Sequence, residues 1–133
     1  MYDNTLKYSL DELEGEKLND SDLQSGLIER CIIARKKKLN ELTIGEIRTL
    51  LDQSIGLKYI IPMALSLLEA DPLRSGGLYR GDLLVAILGV HQDYWLCNSV
   101  ENNRLAEIRI SVDEIYQTLS EDVIPKLASI DFM

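Results

Sequence analysis

Apolar residues recur along most of this chain at intervals of three and four, the period of a helix buried along one side. After "NDSDL" (Asn19 to Leu23), a cluster rich in N-cap residues, Leu23, Leu27, Cys31 and Ala34 keep that interval, and Ile28 and Ile32 widen the stripe. This segment closes on Arg35, Lys36, Lys37 and Lys38, cations where a helix dipole favours them. "LTIGEIRTLLDQSIGL", Leu42 to Leu57, repeats the pattern with Ile44, Ile47, Leu50 and Leu51. Thr43 and Glu46 have the spacing of a capping box, and Gly56 stands where a helix-ending glycine is expected.

The next segment, "LKYIIPMALSLLEADP", is apolar nearly all round, through Ile61, Met63, Ala64, Leu65, Leu67 and Leu68. Such a helix is usually the buried centre of a domain. Proline suits the first turn of a helix, so Pro62 predicts a start near Tyr59 to Ile61. Pro72 ends the helix, because Asp71 before it is pushed away from helical angles. In "SGGLYRGDLLVAILGV", Gly76 and Gly77 permit a turn, Gly81 allows close packing or a positive φ, and Asp82 suits an N-cap. Val85, Ala86, Ile87 and Leu88 read as mostly buried; a helix or a short strand fits, and the Asp82 cap favours the helix.

The two ends are less regular. Ser9 and Glu12 make a capping box for "SLDELEGEKL", a segment that Gly15 weakens. Beyond Gly89, Asn98, Ser99, Asn102 and Asn103 are loop formers, and "EIRISV" fits either a strand or a helical stripe through Leu105, Ile108 and Val112. Ser111 with Glu114 predicts the start of a helix carrying Ile115, Leu119 and Val123, which Pro125 kinks or restarts. The expectation is an all-α fold: one compact helical bundle of five to seven helices in a single domain over residues 1–133.

Composition narrows the class. In 133 residues, 46% are hydrophobic and 27% charged, enough apolar material for a core. The net charge is -8 and the pI about 4.6. Such a surface repels phosphates, which disfavours direct nucleic-acid binding, and attracts a basic protein. The beginning of the chain is polar and acidic, without a targeting signal, and the longest apolar run is broken by Lys58 and Pro62. A cytoplasmic protein without a membrane segment is expected.

Candidate chemistry is sparse. The single histidine, His91, reads as a helix-end or surface residue, and Cys31 and Cys97 as reduced core residues. These three lack any metal-ligand spacing, so no metal and no cofactor are expected. No nucleophile, base or phosphate-binding motif stands out, which points away from an enzyme. The Arg-Gly-Asp tripeptide at residues 80–82 is common by chance, and the basic cluster Arg35–Lys38 is small against the net acidity. An enzyme with a carboxylate-only site or a small acidic helical adaptor of another bacterial pathway are the alternative readings.

An ordered set of motifs carries a resemblance. It comprises L-T-x-x-E-I-R (Leu42, Thr43, Glu46, Ile47, Arg48), Q-x-x-G-L (Gln53, Gly56, Leu57), the Pro62-containing apolar helix, and Y-x-G-D-L-L (Tyr79, Gly81, Asp82, Leu83, Leu84), with Trp95 downstream. Over residues 42–95 the chain resembles immunity proteins of bacterial contact-dependent growth inhibition systems. The resemblance implies a cytoplasmic protein that binds the C-terminal toxin domain of a cognate effector, often a basic nuclease, and neutralises it without chemistry of its own. The shared motif is mostly apolar with turn residues, so it reads as scaffold. Specificity needs surface that differs between relatives. The expected toxin-binding residues are therefore exposed acids with an aromatic near them: Asp11, Glu12, Glu14, Glu16, Asp20, Asp22, Asp93 and Tyr94.

Overall fold

A computed structural model describes residues 4–15 and 26–132. Helices run in the order α1 (Leu10–Glu14), α2 (Gly26–Lys36), α3 (Ile44–Asp52), α4 (Leu57–Ala70), α5 (Asp82–Leu88), α6 (Gln92–Cys97), α7 (Ser99–Thr118) and α8 (Ile124–Ala128). A π turn, Leu119–Val123, joins α7 to α8 without a break. With that rod counted once there are seven helices, and no strand, among the described residues, as an all-α pattern predicts. The N-cap cluster around Asn19, and Leu23 at the head of the expected stripe, lie outside the described residues.

Helix α4 is the centre, packed against α3, α5 and α7. Its Ile60, Ile61, Ala64, Leu65 and Leu68 are buried, in one apolar cluster that extends from Leu10 to Ile108 and includes Ile47, Leu50, Leu83 and Trp95. At about 1.5–3 kcal/mol for each large aliphatic chain removed from water, this cluster is the main source of folding free energy.

Two capping boxes form as expected. The Ser9 hydroxyl accepts from the Glu12 N–H while the Glu12 carboxylate accepts from the Ser9 N–H, and Thr43 and Glu46 do the same at the head of α3. The third expected box fails: Ser111 lies inside α7, where Glu114 cannot act as its capping partner. Asn102 and Asn103 are helical too, so the "EIRISV" stretch resolves as helix.

Helix α3 also ends differently. The Ser54 N–H donates to the Leu51 carbonyl and the Ile55 N–H to that of Leu50, with Ser54 at φ 55° in the left-handed position that glycine usually occupies. Gly56 instead caps the start of α4 at φ 63°. A side chain there would meet Leu10, whose Cδ atoms lie 2.7 Å from the site of the missing Cβ. Because Gly56 turns the chain so early, α4 starts at Leu57, and Pro62 sits inside the helix rather than in its first turn. The lost hydrogen bond is outweighed by the burial of Ile60 and Ile61 on the same turns. Asp71 is extended and ends α4 before Pro72, as expected.

Burial departs from pattern at the ends of the molecule. On α5, Leu83, Ala86 and Ile87 are inside, but Val85 and Leu88 are exposed, because only one side of this helix faces the core. Cys31 is buried and Cys97 exposed, so only one of the two cysteines is a core residue. Burial raises the Cys31 thiol pKa above its ordinary value, although the charge of Arg30 opposes it. Beyond Thr118 the rod buries no side chain fully; Leu119, Ile124, Leu127, Ile130 and Phe132 are all exposed.

Candidate functional site

The loop between α4 and α5 is organised by one carboxylate. Asp82 is only 3% exposed and is the first residue of α5; Gly81, at φ 98°, is the actual N-cap. Asp82 does not cap its own helix. It turns back and accepts hydrogen bonds from the backbone N–H groups of Gly76, Leu78 (2.9 Å) and Tyr79 (3.4 Å). Arg48 of α3 stands 3.6 Å from the same carboxylate, donates to the Gly76 carbonyl and reaches Asp52. Burial alone would push the Asp82 pKa up, but the three N–H donors and the Arg48 charge outweigh it and hold the group below its ordinary range. The motif residues Arg48, Tyr79, Gly81 and Asp82 thus build a pinned loop, and the loop presents Leu78 and Tyr79 to solvent.

A second ionic tie holds the acidic N-terminal helix. Arg35 is 5% exposed and donates to Asp11 at 2.9 Å and to Glu14 at 2.6 Å. Asp11 and Glu14 are three residues apart, so both lie on the face of α1 that meets α2. The basic cluster is therefore divided: Arg35 joins α2 to α1, and Lys37 bonds Glu46 at 3.0 Å, tying α2 to the head of α3. Desolvation works against the Glu46 carboxylate, yet its bonds from Thr43 and Lys37 lower its pKa overall. Arg35 follows Cys31 by four residues and so shares its buried side, a spacing that marks it as inward-facing.

Of the expected contact residues, Asp11 is buried in this tie, Glu14 is partly engaged in it, and Glu12 caps α1 with its side chain exposed. Glu16, Asp20 and Asp22 lie outside the described residues. Asp93 and Tyr94 belong to α6, which packs on α7, whereas α1 packs on α2. Asp93 is exposed beside His91, whose Nδ1 accepts from the Asp93 N–H. Tyr94 meets the buried Trp95 edge-on at 5.2 Å, and burial, with the nearby Glu101 charge, raises its pKa. Of the remaining motif residues, Gln53 ends α3, and Leu57 opens α4 partly buried.

Two surface features escape a reading of the stripe alone. A groove of about 390 Å³ runs between α5 and α7, lined mainly by Leu84, Leu88, Leu105 and Val112, with Asn102 and Arg109 at its edge. The other feature is the bare C-terminal rod. A helical repeat of apolar residues signals both as helix faces, but it carries no mark of what covers them. Among the described residues, no group of three or more His, Cys, Asp or Glu side chains could hold a metal ion, and no helix is long and apolar enough to cross a membrane. What the site offers is charged and apolar surface on a rigid frame.

A sequence model of the family described as CDI immunity proteins matches residues 12–105, which spans α2 to α6 and the first turns of α7. No curated protein and no solved structure matches the chain.

Proposed function

The chain belongs to the family of CDI immunity proteins, and from that premise we propose that it neutralises the C-terminal toxin domain of a contact-dependent growth inhibition effector by binding it, without chemistry of its own. The observation that carries this reading is the family match over most of the chain, including the pinned Arg48–Asp82 loop. The toxin is a nuclease whose phosphate-holding surface is basic, and binding takes place in the cytoplasm. A net charge of -8 fits that partner, since opposite charge speeds capture.

In this reading Glu12, Glu14, Glu16, Asp20, Asp22, Asp93 and Tyr94 meet the toxin, and Asp11 acts through Arg35 by fixing the angle of α1. Co-expression with the effector's C-terminal domain should restore growth, and the two proteins should co-purify; the absence of both rescue and a complex would sink the reading. The contact face has its own check. Glu12→Gln combined with Asp93→Lys, which leaves the Arg35 tie intact and keeps a side-chain acceptor for the Ser9 N–H, should weaken toxin binding at low salt by more than tenfold, about 1.4 kcal/mol.

A further inference from the structure

The rod that follows Thr118 carries large apolar side chains without covering them. Tyr116 is 72% exposed, and Leu119, Ile124, Leu127, Ile130 and Phe132 also stand in solvent. α8 continues the π turn that precedes it, and no other described element packs more than marginally against it. A run of large apolar side chains left in solvent along one segment is characteristic of an interaction site. Charge identifies the kind of partner. From residue 116 to residue 132 the segment bears Glu121, Asp122 and Asp131 against one cation, Lys126. Two such rods repel each other side by side, so a second copy is a poor occupant. A protein surface with cations around an apolar floor is complementary on both counts.

We infer that residues 116–132 are the main docking element for the toxin: the apolar side chains seat on its surface, and the flanking acids pair with cations that otherwise hold phosphate. This rests on the toxin-neutralising reading above and assigns the anchor to a part of the chain beyond the matched family region. Interfaces draw most of their energy from a few large buried side chains, with charge setting the encounter rate. The acids of α1 and α6 then steer the encounter, and the rod supplies the grip.

The test measures affinity of the full chain for the purified C-terminal domain of the effector encoded beside it, with circular dichroism and thermal melts alongside. The variant Leu119→Asp/Ile124→Asp/Leu127→Asp should lose about a hundredfold in affinity. Because aspartates can loosen a helix, Tyr116→Ala/Leu127→Ala serves as the helix-preserving partner and should lose at least about tenfold with unchanged helicity. A wild-type chain that binds the toxin, with both variants binding equally well, overturns the docking assignment and leaves the immunity reading intact. A wild-type chain that fails to bind overturns both. A wild-type chain that dimerises in light scattering, with monomeric rod variants, assigns the rod to a second copy and overturns the inference.

Discussion

The body and the rod use the same residue types in opposite ways. In the core cluster that includes Leu10, Ile47, Leu65 and Ile108, leucine and isoleucine side chains are enclosed, and no side-chain nitrogen or oxygen buried among the described residues lacks a partner. Past Thr118, leucine and isoleucine recur at similar intervals and face solvent. The repeat is thus a statement about helix formation, and enclosure depends on whether another element lies opposite. In the body α3, α4, α5 and α7 supply one another; in the rod that counterpart is missing from the chain's own described elements.

The sharpest way to test this contrast is a matched pair of truncations. Leu65→Ala, at a fully enclosed position of α4, should cost about 2–5 kcal/mol in urea unfolding, while Leu127→Ala should change stability by less than about 0.5 kcal/mol. Equal losses would show that the rod is part of the folding unit after all. Next in size is Asp82→Ala, which takes the shared acceptor from three backbone N–H groups, that of Gly76 buried, and leaves Arg48 only Asp52 and the Gly76 carbonyl; its expected cost is about 2–3 kcal/mol. This position also has a pH signature. The folded-state pKa of Asp82 is depressed, so its contribution is complete above the ordinary aspartate range and is lost as pH falls below about 4. The stability gap between wild type and Asp82→Asn should therefore narrow with acidification, and a gap independent of pH would refute the ionic role.

Smaller effects examine the turn joining α3 to α4. Gly56→Ala should destabilise by about 2 kcal/mol, since it combines a positive φ with a clash against Leu10. Ser54→Gly should do the reverse and raise the melting temperature, worth about 0.5–1 kcal/mol, because it relieves the left-handed serine at the end of α3. If both glycine exchanges proved neutral, this turn would be looser than the body around it.

How much of this was legible follows the range of each interaction. The Thr43–Glu46 box and the stop at Pro72 depend on neighbours in sequence, and both are visible there. Ser111 with Glu114 shows the weakness of the same signal: a box caps a helix only where the chain before it is not yet helical, and here α7 is already under way. The sequence around Asp82 predicts a local cap, whereas its partners are a loop folded back onto it and an arginine on another helix. The position of Arg35 predicts a dipole-favoured terminus, but its acids stand 21 and 24 residues earlier. The contact face is the least legible part, because exposed acids with structural duties and those without have identical letters.

The loop pinned by Asp82 has a consequence for proteolysis. Arg74 and Arg80 are exposed trypsin sites in a glycine-rich connection, the kind of segment that is ordinarily nicked first. A protease must draw several residues into an extended strand, and at Arg80 that means stripping the carboxylate of its backbone donors. Digestion there should accordingly track the opening of the loop rather than its accessibility, so that the most inviting bond in the sequence is cut slowly while Asp82 is in place.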